Sequence, residues 1–175
     1  MTKEIRLKGG DATLVDEEDY PLLSRYEWQR AGTAGYAVTT MQTLTGKNHT
    51  IYMHKLIMAG FWLCDHINQN PLDNRKANLR RATMQENGWN KGKPKACRHG
   101  KPTSQYKGVS FVPLRGKPRW VAMIKHVKPG AHKTTGKVIR IGYFDSEEAA
   151  ARAYNAKVRE LRGEWAWVNP LPEVG

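Results

Sequence analysis

The stretch Leu63 to Asn90 reads LCDHINQNPLDNRKANLRRATMQENGWN, and the organisation of the first half of the chain turns on it. Asp65 and His66 close a short apolar run, so a brief strand would carry a carboxylate and an imidazole side by side into a cleft. A polar loop of asparagine and aspartate follows, the composition of turns, and Asn74 reads as one of its turn residues. Asn78-Leu79-Arg80-Arg81 leads out of that loop. Thr83 and Glu86 then stand at capping-box spacing, which predicts a helix beginning at Met84 and puts Asn87 just beyond its first turn. Strand, loop, strand and helix in this order fold into a compact ββα unit over residues 62–90. The Asp65 carboxylate and the Asn87 amide oxygen are both hard donors, suited to a single divalent cation, Mg2+ first and Mn2+ second.

Working outward, the charge of the chain is unevenly placed. The 175 residues carry a net charge of +13. Residues 1–90 hold 11 Lys/Arg against 10 Asp/Glu, whereas residues 91–175 hold 18 against 6. A neutral half joined to a strongly basic half points to a polyanion-binding module attached to something else, with nucleic acid the leading partner. An anionic membrane fits less well, because there is no basic amphipathic helix and no apolar run approaching the roughly 20 residues that span a bilayer. Met1-Thr2-Lys3-Glu4 opens no signal segment, and the two cysteines, Cys64 and Cys97, build neither a disulfide framework nor a four-cysteine zinc site. A cytoplasmic setting in a bacterial host cell, near its nucleoid, is the expectation.

Residues 91–105, KGKPKACRHGKPTSQ, are rich in Lys, Gly and Pro and nearly free of apolar side chains. They read as a basic linker, either a solvated spacer or a strap along a phosphate backbone. Before it, Ala12–Val15, Tyr36–Thr39 and Thr50–Met53 read as strands, Asp16–Ser24 as a helical turn, and His54–Ala59 as a short helix closed by Gly60. His54 reads as a structural residue at the start of that helix, with a phosphate contact as the alternative. Residues 1–50 are expected to form a sheet supporting the unit after them. Beyond the linker, Tyr106–Val112, Arg119–His126 and Val138–Phe144 are three strand candidates. Ser146 caps a helix that runs to Arg162 and stops at Gly163. Trp120, Ala122, Ile124, Ile139 and Ile141 would face this helix through its Ala149, Ala150, Ala153 and Leu161. The opposite face would carry Lys107, Ser110, Arg119, Lys125 and Arg140 uncovered, wide enough for a major groove. The fold class is therefore α+β: a mixed N-terminal region at 1–90 containing the ββα unit, the linker at 91–105, and a three-stranded antiparallel sheet packed on one helix at 106–170.

The words MHKLI, DHIN, NPLDNRKANLR and ATMQENGWN, in order from Met53 to Asn90, resemble the HNH (ββα-metal) endonucleases, most closely the phage intron-encoded homing type whose last motif position is Asn. The resemblance implies that His66 is the general base that activates water, that Asp65 and Asn87 hold one divalent metal, and that Asn78 braces the loop and orients the histidine. An imidazole of ordinary pKa near ~6.5 can take a proton from water at neutral pH, provided its other nitrogen is pinned. In the second half, SQYKGVSF, KPRWVAMIK and RIGYFDSEEAAARAYNAKVRELRG, within Ser104 to Asn169, resemble the ethylene-response-factor (Apetala-type) DNA-binding domain. That likeness implies sheet contacts to DNA by Lys107, Ser110, Arg119, Lys125, Arg140 and Tyr143. Ser110 and Arg140 depart from the family's usual residues, so its target sequence does not carry over. The closing WAWVNP resembles the family's ending, with tryptophans that pack.

The two resemblances together imply a metal-dependent homing-type DNA endonuclease of a phage or mobile element. It would act as a monomer on double-stranded DNA, docking by its basic sheet and nicking one strand. The alternatives are a non-catalytic DNA-binding regulator and a less selective phage nuclease.

Overall fold

The computed structural model describes residues 1–60, 63–93, 103–113, 119–127 and 135–172. The chain is a mixed α+β protein of two compact units, Met1–Asn87 and Gly88–Gly175.

In the first unit, β1 (Thr2–Arg6) and β2 (Ala12–Asp16) form an antiparallel hairpin, followed by the one-turn helix α1 (Tyr20–Leu23). Three antiparallel strands come next: β3 (Gln29–Ala31), β4 (Tyr36–Gln42) and β5 (Asn48–Tyr52), with β4 in the middle. The helix α2 (Met53–Ile57) leaves β5 directly. Met53 was expected in the strand, but its side chain is fully buried in the core with Ile5, Leu7, Val15, Leu23, Trp28 and Ala37, and the chain turns helical to put it there. The expected helical turn at Asp16–Ser24 contracts to α1, which starts at Tyr20-Pro21, where proline's fixed φ suits a first helical position. Ala59, with φ of 54°, takes the left-handed position that ends α2; its N–H bonds the Leu56 carbonyl and that of Gly60 bonds the Lys55 carbonyl.

The stretch that opened the sequence reading forms β6 (Cys64–His66), a 3-10 turn at Lys76–Asn78, β7 (Leu79–Arg81) and α3 (Met84–Trp89). β6 and β7 pair antiparallel, with Asp65 opposite Arg80. The capping box forms as expected: the Thr83 N–H donates to Glu86 Oε2 at 2.7 Å and the Glu86 N–H to Thr83 Oγ1 at 3.2 Å. The intervening loop is stitched to β2, since Leu14 donates its N–H to the Leu72 carbonyl and accepts from the Asn74 N–H, both at 2.8 Å. The first fifty residues thus include a hairpin and a sheet, and the hairpin braces the loop.

The second unit contains β8 (Val109–Val112), β9 (Arg119–His126) and β10 (Lys137–Phe144), antiparallel in the order β10-β9-β8, with α4 (Glu147–Arg162) packed across them. β8 begins three residues later than expected. Gly108 sits at φ +75° with its carbonyl accepting from Met123 N–H, and a Cβ there would lie 2.1 Å from the Tyr154 ring, so the chain must bend before pairing. Ser146 caps α4 by accepting from the Ala149 N–H at 3.1 Å. Its buried stripe is Ala150, Ala151, Tyr154 and Val158; Ala149 and Ala153, expected on that stripe, are only half-buried because Tyr154 claims the contact with the sheet. Trp120, Ala122, Ile124, Ile139 and Ile141 do face the helix. The closing segment packs as well: Asn155 and Asn169 exchange hydrogen bonds at 2.9 and 2.7 Å, and Ala166, Val168 and Leu171 join the core. The proposed linker lies mostly outside the described residues (94–102 of 91–105), as does Cys97.

Candidate functional site

Asp65 and His66 are adjacent on β6 and almost fully buried, at 5% and 6% exposure. Burying a carboxylate demands a partner, and Arg80, across the ladder on β7, supplies it: its Nε and Nη2 reach Asp65 Oδ2 at 3.0 and 2.9 Å. Arg80 is itself nearly buried, so the pair is tied firmly between the two strands.

His66 is held through a chain of hydrogen bonds that begins in the N-terminal hairpin. The Thr13 hydroxyl donates to the Leu72 carbonyl at 2.8 Å and accepts from Asn74 Nδ2 at 2.8 Å. Asn74 Nδ2 also donates to the Pro71 carbonyl at 3.3 Å, an oxygen that can only accept, so the amide orientation is set. Asn74 Oδ1 therefore faces the imidazole and accepts from His66 Nε2 at 3.2 Å. With the proton on Nε2, the basic lone pair of His66 is on Nδ1. Burial lowers the His66 pKa, against the opposing pull of the Asn74 hydrogen bond and of Asp65 and Asp73, so the ring is neutral at pH 7.

Asn78, expected to brace the loop and orient the histidine, makes contacts of the bracing kind. Its Oδ1 accepts from the Asn68 N–H at 3.0 Å and its Nδ2 donates to the Asp73 carbonyl at 2.8 Å. The carboxamide on the imidazole is instead that of Asn74, wholly buried and read from sequence as a turn residue. The loop is locked further by Asp73, whose two oxygens take Arg75 Nε and Nη2 at 2.7 Å each and which also accepts from Asn68. Asn87 lies in α3, half-buried, with its N–H on the Thr83 carbonyl. Asn90 is buried in the second unit. Sequence reasoning had no signal for Thr13 or Asn74 as partners of His66, because Thr13 stands 61 residues from the amide it holds.

A divalent cation fits the donor chemistry of Asp65 and Asn87: one carboxylate and one amide oxygen suit a metal that keeps most of its waters. The neighbouring Cys64 thiol is pushed up to about 11 by burial. Among the described residues no group of three or more His, Cys, Asp and Glu is clustered for a metal.

On the second unit, Lys125 and Arg140 are exposed, Ser110 and Arg119 are half-buried, and Tyr143 is 39% exposed. Ser110, Val121 and Tyr143 form one row across the three strands, and Met123 stands opposite Arg140. The Arg140 guanidinium lies 5.5 Å from the Tyr143 ring centre. Lys107 does not join this face as expected. It precedes β8, bonds the Lys91 carbonyl and lies 5.4 Å from the Trp167 ring centre. Burial, then Arg162, pushes its ammonium down to about 8. The left-handed turn at Gly108 breaks the alternation that would have aimed it outward.

No protein-family model matches the chain. An uncharacterized HNH endonuclease of Acanthamoeba polyphaga mimivirus is 30% identical over 166 residues, covering 93% of this chain and 76% of the relative. The chain belongs to the HNH endonuclease family. Among the described residues no helix is long and apolar enough to cross a membrane.

Proposed function

We propose that this protein is a metal-dependent DNA endonuclease of homing type that nicks one strand of a duplex held by its C-terminal sheet. The observation that carries the reading is His66: a buried, neutral imidazole whose Nε2 is pinned by Asn74, which keeps a proton acceptor on Nδ1. A base in that state takes the proton of an attacking water directly. Asp65 and Asn87 would hold one Mg2+ or Mn2+. When bound, that ion supplies Lewis acidity at the scissile phosphate and charge relief at the departing 3′ oxygen. Asn78 keeps the loop closed, and Arg80 holds Asp65 in place between the two strands. Ser110, Arg119, Lys125, Arg140 and Tyr143 would meet the major groove, the exposed Arg140 and Lys125 taking phosphates or base edges. Lys107 has a smaller part in this reading, because its ammonium is already engaged. One candidate centre among the described residues favours a nick by a monomer.

The test is cleavage of supercoiled plasmid carrying the DNA of the host element, with Mg2+ and with chelator, followed by mapping of the cut strand. Wild type should give open circles only with metal, and His66→Ala should lose at least about 10²-fold in rate. Undiminished cutting by His66→Ala would sink the assignment. Clean blunt linearisation would sink the nicking part. Protection of a single site distinguishes a homing enzyme from a less selective nuclease, and binding without cutting marks a regulator.

A further inference from the structure

The first unit carries a feature that its core does not use. β3 pairs only with Tyr36–Val38, yet the β4–β5 ladder runs on through Thr40 with Thr50 and Met41 with His49 to Gln42 with Asn48, a two-stranded ribbon beyond the sheet. Every residue from Thr40 to Thr50 is exposed, with Leu44 wholly bare at the apex. A hairpin without a packed face is marginal in water, but this one is stitched at its tip. The Thr43 N–H donates to the Lys47 carbonyl at 2.8 Å, the Lys47 N–H to Thr43 Oγ1 at 3.1 Å, and Gln42 Nε2 to the Gly46 carbonyl at 3.2 Å. A hairpin that served only to join two strands would gain nothing by extending this far into solvent.

Alternation fixes what the ribbon presents. One face starts at Tyr36, whose ring centre is 5.7 Å from that of His66, passes Thr40 and Thr50, and ends at Gln42 and Asn48. Gln42 is spent on the tip, so Asn48 is the carboxamide that this face offers outward. From Trp28 to Cys64 the chain holds no Asp or Glu, although the first 90 residues hold 10. With Lys47 beside Asn48, the ribbon is an acid-free, cationic projection suited to a polyanion. Apart from Met41, Leu44 and Gly46, its residues from Thr40 to Thr50 all have polar side chains, which suits base edges and phosphates better than the apolar centre of a protein interface. We propose that the β4–β5 ribbon enters the major groove beside the scissile phosphate, where Asn48 pairs with a base edge and Lys47 takes a phosphate. This rests on the nuclease reading of the centre at the ribbon's base. A major groove about 12 Å wide admits a two-stranded ribbon. Tyr52 to Asn48 spans ~13 Å at ~3.3 Å per residue, or about four base steps of the duplex. An asparagine amide matches adenine N6 and N7, so the contacted base is an adenine about four pairs to one side of the nick.

The test uses the full chain and duplexes spanning the mapped nick, with each base pair beside it inverted in turn and binding followed by fluorescence anisotropy in chelator. For wild type, inversion about four pairs to one side should weaken binding about 5- to 100-fold. Asn48→Ala should bind the unaltered duplex that much more weakly and be indifferent to the same inversion, while still responding to changes elsewhere. Lys47→Ala should weaken binding to every duplex alike and reduce the salt slope by about 1. An Asn48→Ala protein that binds as tightly as wild type, or still responds to that inversion, overturns the proposal. If Asn48→Ala fails to fold by circular dichroism, Asn48→Asp decides. Its carboxylate accepts from cytosine N4, so its preference at that one position should move from adenine to cytosine, and an unchanged preference overturns the proposal. A dimer of the free protein in sedimentation that Leu44→Ser dissolves would make the ribbon a contact between copies and would overturn it too. If wild type shows no metal-dependent cutting, the nuclease reading fails and this falls with it. If wild type cuts and Asn48→Ala binds unimpaired, only the role of the ribbon fails.

Discussion

His54 and His66 share a buried aromatic cluster with Tyr36 and Tyr52, and burial disfavours the charged form of both imidazoles. The consequence for stability has a definite sign. His54 titrates at about 4 when folded, against about 6.5 when unfolded, so between these values the unfolded chain holds the extra proton. Stability is therefore full above pH 6.5 and declines as pH falls towards 4, by up to about 1.4 kcal/mol per pH unit and about 3 kcal/mol in all. Urea midpoints measured at pH 7, 5.5 and 4.5 should drop steadily in wild type and less steeply in His54→Phe. Equal slopes would contradict the burial argument. The same scale shows where residue-level reading stops. Asp65 and His66 were legible as a reactive pair because they are neighbours in the chain. Which of the loop's asparagines meets the imidazole was not legible, because the Asn74 amide is held by Thr13, a contact set only when the β1–β2 hairpin closes over the loop.

Helix ends were the most legible elements, since their signals are local. Thr83 with Glu86 and Ser146 before Glu147 each bond groups within three residues, so spacing alone announces them. The end of α2 was half-legible: Gly60 marked it, but the left-handed residue in the cap is Ala59. An L-residue with a Cβ pays about 1 kcal/mol there, which glycine avoids. Ala59→Gly should therefore raise the melting temperature by about 4 °C, read by circular dichroism. A fall would show that Ala59 contributes packing that outweighs its backbone strain. Strand edges were less legible, as β8 shows. Its start depends on Gly108 passing against the Tyr154 ring of α4, a partner 46 residues away that no strand period reveals.

Across the whole molecule the charge is divided much as the chain is. The first 90 residues are close to neutral and the last 85 carry nearly all of the +13. If the basic half neutralises five to eight phosphates, log K for DNA should fall against log salt with a slope of about −4.5 to −7. Arg140→Ala, at an exposed position on β10, should reduce that slope by about 1, measured by fluorescence anisotropy from 50 to 300 mM salt. A nearly flat response would contradict docking by the sheet.

Composition, charge, periodicity and capping were readable from the chain itself, because each rests on the identity of a residue or on partners within about four positions. They specified an α+β protein with a β-sheet backed by a helix and an Asp-His pair leading towards a capped helix. Tertiary structure alone decided that Asn74 holds His66, that Lys107 turns to Trp167 and not to the sheet face, and that Tyr154 and Val158 join Ala150 in the buried stripe of α4. In each case the deciding partner lies far along the chain, and a buried group takes whichever neighbour the packing brings within hydrogen-bond or van der Waals reach.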